Sequence, residues 1–443
     1  MPAGVQARVL IVARDDSVVG PLAEGLDRLG WRTVTARRPE TAHTALADLR
    51  IEAAIIDMAT VGEAGVDLAR TLKETCAPRR IPVVAIGEPS PTLSALGFDL
   101  TIAPPLHPAQ AAMRLETLVR TAVSEEEFEL RSESFAERGH RIEAPQAESG
   151  PYRVLAIGEP APQFLALSNA LARNGAEIVG AFSAFTAFDY LHERSFDAVV
   201  LWAGDNPQEA LSIAAGLRRN TRLYHTPALL YVRAESPVTV AEAYHRGISD
   251  VASPQTPESE TAHRVVELAR AYRRQKSVRG ALEQARGSGL MDAATGLFTR
   301  DLFAAHLVRL AAASQARNRP LSVCVLKVAG TADLKAARAG GWVARAVPQI
   351  GSMIGRLVRV EDTAARLGPE VFALALPATP LMAAKTAGER IAAVIGCTAF
   401  EAGDGKPPFV VEFDMGAAEV TTPETAGRAL ERAAAAAAGR KAG

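Results

Sequence analysis

The chain contains a long internal repeat that sets its domain organisation. In the first copy, amphipathic stretches separate apolar runs that read RVLIV, EAAIID and PVVAI. The second copy follows at an offset of about 145 residues and contains RVLAI, DAVVLW and PALLYV in the same order. Strands that alternate with helical segments are typical of a parallel sheet, because parallel strands need a helical crossover. The repeat therefore predicts two doubly wound α/β domains.

The rest of the chain has a different pattern. Charged stretches without apolar strands follow each copy and are typical of helical linkers. Beyond them, helices separate three apolar strand segments, an α+β arrangement, and these segments read LSVCVLKV, EDTAARLGPEVFALALP and FVVEFDMGAAEV. The predicted divisions are 1–122 and 151–275 for the α/β domains, 123–150 and 276–290 for the helix extension and linkers, and 291–443 for the α+β domain.

The charge balance and the cysteines exclude several classes of function. Lys plus Arg total 49 against 50 for Asp plus Glu, so no global field favours DNA or a membrane surface. Cys76, Cys324 and Cys397 lack the spacing of a zinc site or a disulfide framework. No segment approaches the roughly 20 apolar residues of a membrane span. We therefore expect a cytoplasmic protein with no DNA partner, no membrane insertion and no metal site.

A single carboxylate, Asp57, ends the third apolar strand of the first copy. In open α/β sheets, sites lie at the carboxyl ends of the strands. With Gly65 eight residues further on, this segment resembles the receiver domain of response regulators. The resemblance implies that Asp57 is a candidate phosphoacceptor and that the receiver domains form a homodimer.

The groups that support phosphoryl transfer in receivers are replaced in this chain. The family needs an acidic pair for Mg²⁺, a hydroxyl and a lysine. By strand alignment these positions hold Ala13 and Arg14, Gly87, and Ala103. Two interpretations stay open: Asp57 is a relic carboxylate, or a register slip lets Asp15 and Asp16 supply the acidic pair.

The second copy has no acceptor at the matching position. Trp202 stands where the first copy has Asp57, and an indole cannot carry a phosphoryl group. The neighbouring positions of a receiver site have also changed, to Gly158, Glu159, Val232 and Ser253. This domain therefore resembles a pseudo-receiver that serves packing or docking.

The third domain resembles the GGDEF family of diguanylate cyclases. The opening signature of that family, D-x-L-T-G-L-x-N-R-x-x-F, stands here as DAATGLFTRDLF, from Asp292 to Phe303. The signature hairpin stands as GPEVF, from Gly368 to Phe372. A cyclase joins two GTP molecules, and two carboxylates hold metal against the triphosphate charge.

Several positions that carry catalysis in the family are altered. A metal carboxylate aligns with Lys327, for which we expect an ion pair with Glu370, and Pro369 removes an N–H where the chain approaches phosphate. The degenerate active-site positions, with the guanine-reading ones included, are Lys327, Lys335, Ala344, Gly368, Pro369, Glu370 and Val371. The resemblance therefore predicts a degenerate cyclase domain that is not an enzyme.

An R-x-x-D motif runs from Arg359 to Asp362, with the arginine nine residues before Gly368. In the family this turn is an inhibitory site that binds cyclic di-GMP, and Arg390 matches a second arginine for the same ligand. A guanidinium pairs with guanine O6 and N7 or with phosphate, and a carboxylate accepts from the guanine edge. The resemblance implies cyclic di-GMP as a regulatory ligand, with no cofactor required. The competing interpretation is a solvated ion pair.

The order of receiver, pseudo-receiver and GGDEF domain resembles that of PleD-type response regulators. With the altered hairpin and the intact R-x-x-D, the resemblance implies a cyclic di-GMP effector or scaffold recruited to a cell pole. It implies a proteolytic adaptor as partner and delivery of a cell-cycle regulator to a ClpXP-type protease. The alternatives left open are an active or weakly active cyclase, a phosphorylation-switched dimerising scaffold, and a scaffold that binds no nucleotide.

Overall fold

The structure is a computed structural model in which the chain forms three units in series. The described residues are 7–88, 91–146, 148–159, 162–203, 207–220, 222–232, 239–285, 289–403 and 405–439. Two units contain parallel sheets and the third contains an antiparallel sheet. The mixed α/β and α+β fold class is therefore confirmed, while the four last residues of the predicted range 291–443 lie outside the described residues.

The first unit is a five-stranded parallel sheet with helices on its faces. Its strands are β1 (Arg8–Val12), β2 (Arg32–Ala36), β3 (Ala53–Asp57), β4 (Val83–Ile86) and β5 (Leu100–Ile102), in the order β2-β1-β3-β4-β5. Its helices are α1 (Asp16–Arg28), α2 (Pro39–Asp48), α3 (Met58–Val61), α4 (Ala64–Cys76), α5 (Pro91–Ala95) and α6 (Pro108–Ala136). The central strands are almost wholly apolar and buried, as parallel strands covered on both faces must be.

The second unit repeats this arrangement. Its strands are β6 (Tyr152–Ile157), β7 (Ala176–Ala181), β8 (Ala198–Ala203), β9 (Ala228–Val232) and β10 (Asp250–Ala252), in the order β7-β6-β8-β9-β10. Its helices are α7 (Pro162–Arg173), α8 (Ala184–Glu193), α9 (Pro207–Arg219), α10 (Val240–His245) and α11 (Glu258–Gln284). The two sheets have the same strand order, so the sequence repeat corresponds to a repeat of topology.

The third unit is an antiparallel sheet between two helical layers. Its strands are β11 (Leu321–Val328), β12 (Thr363–Gly368), β13 (Val371–Pro377) and β14 (Phe413–Glu419), in the order β12-β13-β11-β14. Its helices are α12 (Arg300–Ala316), α13 (Ala332–Ala339), α14 (Trp342–Leu357), α15 (Leu381–Gly396) and α16 (Ala426–Gly439). One apolar core joins the sheet to α14 and α15, and another joins its opposite face to α12 and α16.

Two long charged helices, α6 and α11, join the units. The 29 residues of α6 run from the first sheet to the third unit without a break, and the 27 residues of α11 pack beside it. Arg274 of α11 donates from Nε to Oε1 of Glu125 on α6 over 2.6 Å. Within the described ranges, no helix is long and apolar enough to cross a membrane.

A buried ion triad fastens the third unit to the first. Arg319, just before β11, donates from Nε to Glu52 over 3.0 Å and from Nη1 to Glu126 over 2.5 Å. All three side chains are at most 7% exposed. Glu52 precedes β3 and Glu126 lies on α6, so one guanidinium holds three segments together. We call these residues the Arg319 triad.

Candidate functional site

The turn after α14 presents Arg359 to solvent. The Arg359 side chain is exposed, and none of the described residues accepts a hydrogen bond from its guanidinium. The backbone N–H of Arg359 donates to Oδ2 of Asp362 over 3.0 Å, which closes the turn. A guanidinium with unused donors in a closed turn is suited to a planar or anionic ligand.

Asp362 points into the protein rather than into solvent. It is 6% exposed, and its Oδ1 has no hydrogen-bond partner among the described residues. Burial and the neighbouring Glu361 carboxylate raise the pKa of Asp362 to about 7, against the opposing charge of Arg359. In this conformation Asp362 orders the turn, and a ligand reaches its free oxygen only after the turn moves.

Arg390, on α15, lies beside the same turn. Its Nη2 donates to the backbone carbonyl oxygen of Leu357 over 3.4 Å, and its side chain is exposed. Leu357 ends α14 two residues before Arg359. The structure therefore brings the two predicted arginines to one surface and places Asp362 beneath it.

Arg359 also lines a cavity between the third unit, α6 and the first unit. The cavity has a volume of about 250 Å³, and its polar lining includes Arg50, Glu52, Arg120, Arg319 and Glu361. Arg120, on α6, approaches Glu361 to 3.6 Å from Nε, which has no hydrogen-bond partner among the described residues.

Sequence reasoning missed Arg120 and Glu361. No motif marks Arg120, which lies on α6 outside the third unit. The only available signal for Glu361 was its position inside the R-x-x-D itself. Glu361 is 3% exposed and accepts a 3.4 Å hydrogen bond from Ser124 of α6, so it joins the turn to that helix.

The GPEVF hairpin differs from expectation in the partner of Glu370. The predicted ion pair with Lys327 is wrong, because the Glu370 carboxylate is bound by Arg338 of α13. Nε of Arg338 lies 3.0 and 2.8 Å from the two carboxylate oxygens, and Nη2 lies 2.6 Å from Oε2. Lys327 instead lies on β11 beside Val371 and Asp414 of the adjacent strands.

None of the other altered positions bonds to Glu370 among the described residues. Lys327, Lys335 and Ala344 are exposed, and Pro369 lies at the exposed tip. No cluster of three or more His, Cys, Asp and Glu able to hold a metal occurs in the described part of the chain. A divalent cation at Glu370 would meet the guanidinium of Arg338 at the same oxygens. In this structure the Glu370 carboxylate is therefore already engaged by Arg338.

Asp57 is buried at the end of β3 and bonded locally. Its Oδ2 accepts from the hydroxyl of Thr60 over 2.6 Å, and its Oδ1 accepts from the N–H of Ala59 over 3.2 Å. Asp15 caps α1 by accepting from the N–H of Ser17, and Asp16 pairs with Arg37. Both aspartates of the alternative acidic pair are thus engaged away from Asp57.

The second unit fills the corresponding position with a large side chain. Trp202 is 6% exposed and meets the ring of Tyr231 edge-on at 4.5 Å between centroids. Gly158 at the end of β6 leaves the space it needs, since a Cβ there would lie 2.6 Å from Cβ of Trp202. Of the other changed positions, Val232 ends β9, whereas Glu159 and Ser253 lie just beyond the ends of β6 and β10.

Comparison with known proteins supports two parts of this architecture. Residues 289–442 match the family described as "Diguanylate cyclase, GGDEF domain". The phosphate regulon transcriptional regulatory protein PhoB of Pseudomonas aeruginosa is 28% identical over 159 residues, which cover 33% of this chain and 69% of PhoB. This second similarity supports a response regulator with a receiver-type domain.

Solved GGDEF domains resemble part of the chain. The FimX GGDEF domain from Pseudomonas aeruginosa is 20% identical, with a TM-score of 0.32, and the match covers 34% of this chain and 95% of that one. The GGDEF domain of DgcB from Caulobacter crescentus, in complex with c-di-GMP, is 24% identical with a TM-score of 0.31, and covers 35% and 88%. Diguanylate cyclase SiaD from Pseudomonas aeruginosa, with its activator SiaC, is 23% identical with a TM-score of 0.32, and covers 38% and 64%.

The family match corrects one prediction. The sequence led us to expect a degenerate domain that is not an enzyme, and the match to the diguanylate cyclase family contradicts that expectation. The altered letters of GPEVF do not remove the domain from the family. The family model thus identifies residues 289–442, about a third of the chain, as a GGDEF domain.

Proposed function

We propose that this protein is a response regulator that binds cyclic di-GMP at the turn formed by Arg359 and Asp362. The observation that carries the proposal is the convergence of Arg359 and Arg390 on one exposed surface. Two guanidinium groups on one face supply the paired, planar donors that guanine edges and phosphates accept.

The cavity beside Arg359 extends this proposal beyond the third unit. Because Arg359 and Arg120 line the same cavity, a ligand held by Arg359 also reaches α6. Glu361 between them offers a carboxylate acceptor for the N–H groups of a guanine edge. We propose that the bound nucleotide ties the GGDEF domain to the long helix and acts as an effector signal.

Titration calorimetry with cyclic di-GMP tests this proposal. We expect the full chain to bind, and we expect Arg359→Ala to weaken binding by at least about tenfold, because a charge-assisted pair is lost. Arg356→Ala is the matched control, since Arg356 is an exposed arginine of the neighbouring α14 that bonds only to Ser352 among the described residues. Equal affinities of the two variants, or no binding by the wild type, would reject the proposal.

Diguanylate cyclase activity is the second candidate function, and the family match favours it. Incubation of the protein with GTP and Mg²⁺, followed by chromatography of the products, measures it directly. Turnover to cyclic di-GMP would make the Arg359 turn a product-binding site of an enzyme. Absence of turnover with intact ligand binding would leave the effector role alone.

The proposed cellular role comes from the resemblance in domain order. Recruitment to a cell pole, a proteolytic adaptor and delivery of a cell-cycle regulator remain predictions of that resemblance. Dimerisation through the receiver-type domains also remains a prediction. Sedimentation of the protein with and without cyclic di-GMP measures the last of these.

A further inference from the structure

Trp31, a residue of the first unit, lines the same cavity as Arg359 of the third unit. It lies between α1 and β2 and is 1% exposed, yet its Nε1 donates to none of the described residues. An indole N–H is a donor only, and a buried one usually has a partner, because an unpaired buried donor has lost its hydration without compensation. Trp31 therefore brings an unused donor to the wall of this cavity.

The packing of the sheet accounts for the ring of Trp31 but not for its N–H. The ring belongs to the apolar core of the first unit. The second unit has Ala176 at the matching position, 145 residues further on (176 minus 31), and its sheet has the same strand order. A sheet of this topology thus forms without an indole here, and nothing within the first unit uses the donor.

The cavity contains a second unused donor and a buried acceptor. Nε of Arg120 is buried without a hydrogen-bond partner among the described residues, and it lies 3.6 Å from Oε1 of Glu361, which is 3% exposed. Val119 and Val123 of α6 add apolar wall. Guanine presents two acceptors, O6 and N7, beside N–H groups that a carboxylate accepts, whereas adenine has an amine donor in place of O6. Paired N–H donors beside a carboxylate therefore favour guanine.

The size of the cavity limits what it can enclose. Its volume is about 250 Å³. Pockets that enclose a drug-sized ligand have roughly 300–1,000 Å³, so this cavity is suited to a single base rather than to a whole dinucleotide. The remainder of such a ligand would stay at the exposed surface that Arg359 and Arg390 share.

We propose that one guanine base of cyclic di-GMP enters this cavity and accepts a hydrogen bond from Nε1 of Trp31. The inference rests on the proposed function and adds the first unit to the ligand site. Because core packing already fixes the indole, its N–H is oriented before the base arrives, which lowers the ordering cost of binding. The amine of adenine would face this N–H as donor against donor, so Trp31 favours guanine over adenine.

Nuclear magnetic resonance of the ¹⁵N-labelled full chain tests the contact directly. The chain has three tryptophans, and the Trp31 indole signal is the one that neither Trp202→Phe nor Trp342→Phe removes. We expect saturating cyclic di-GMP to move this signal downfield, as a new hydrogen bond requires, and we expect cyclic di-AMP to leave it in place.

Two outcomes separate this inference from the proposed function. An unchanged Trp31 signal in a protein that binds cyclic di-GMP by calorimetry would mean that water alone fills the cavity, which overturns the inference and leaves the proposed function intact. Absence of calorimetric binding would overturn both. An equal shift with cyclic di-AMP would contradict the reading of guanine by Trp31.

Trp31→Phe supplies a second measurement, because it keeps an aromatic ring in the core and removes only the donor. We expect its affinity for cyclic di-GMP to fall about fivefold, the change that one hydrogen bond produces. Trp342→Phe is the matched control, since Trp342 is not among the residues that line the cavity, and its affinity should equal that of the wild type. Equal affinities of the two variants would contradict the contact.

Discussion

The two α/β units have the same strand order, but they carry different side chains near the end of the central strand. In the first unit Ala13 follows β1, and the buried carboxylate of Asp57 ends the neighbouring strand β3. The second unit pairs Gly158 with Trp202 at the corresponding positions. The matching positions thus hold alanine and aspartate in one copy, and the smallest residue packed against the largest side chain in the other.

The same strand order can therefore hold very different side chains at the end of its central strand. Both copies have apolar strands, whereas the residue near the end of the central strand differs together with its neighbour on the adjacent strand. In the second unit this position is part of the core. The acceptor role of Asp57 in the first unit stays a prediction, and the variants below test how differently the two positions contribute to stability.

Trp202→Ala gives the largest expected effect. Removal of a buried indole leaves a cavity, and we expect the second unit to lose about 3–5 kcal/mol of stability. Hydrogen exchange of the β8 amides, followed by mass spectrometry, measures the loss, with the β3 amides of the first unit as the internal control. Unchanged β8 protection would show that Trp202 is not part of the core.

Gly158→Ala should cause the second-largest loss of stability. The backbone has φ of +143° at Gly158, and a Cβ would meet Cβ of Trp202 at 2.6 Å, so overpacking of about 1–3 kcal/mol is expected. Urea unfolding of Gly158→Ala, of Trp202→Gly and of the double variant checks the cause, because only glycine at 202 removes the Cβ that the new methyl group meets. Because the clash needs both side chains, the two losses should not add. Strict additivity would point to backbone strain alone.

Asp57→Ala should cost about 1 kcal/mol, because the short helix α3 loses its N-terminal cap. Asp57→Asn keeps a side-chain oxygen for the N–H of Ala59 and should cost less. Urea unfolding measures both. A loss for Asp57→Ala as large as that for Trp202→Ala would remove the contrast between a local cap and a core residue.

The smallest effect is expected at the surface where the copies differ in charge. Phe182 and Phe185 are 59% and 77% exposed, and they stand where the first unit has Arg37 and Glu40. Exchange to the first unit's residues, Phe182→Arg and Phe185→Glu, should change stability by less than about 0.5 kcal/mol. A larger loss in urea unfolding would mean that these rings stabilise the second unit.

The sequence predicted those features that depend on local pattern. The repeated apolar runs were sufficient for two parallel sheets, and the R-x-x-D with Arg390 was sufficient to place two arginines on one surface. The partner of Glu370 could not be predicted, because Arg338 reaches the hairpin only through the packing of α13. The Asp362 side chain was expected to face the ligand, but it points into the protein. This direction is set by the geometry of the turn, which the spacing of residues in the sequence does not specify.

The contribution of α6 was equally invisible in the sequence. Arg120 and Glu361 are 241 positions apart (361 minus 120), and no local pattern connects them. Only the docking of the units brings their charges to 3.6 Å. Contacts between units depend on the relative placement of whole domains, which periodicity within one domain leaves undetermined.

The Arg319 triad has a mechanical consequence for the first sheet. Glu52 of the triad precedes β3 and Asp57 ends it. The contact with the third unit and the candidate acceptor therefore lie at opposite ends of one strand. Five extended residues form a stiff rod of about 17 Å. Removal of Arg319 would take one cation from two buried carboxylates at once, and loss of one member of a buried ion pair costs several kcal/mol. The start of β3 and helix α6 are therefore tied to the third unit through a single side chain.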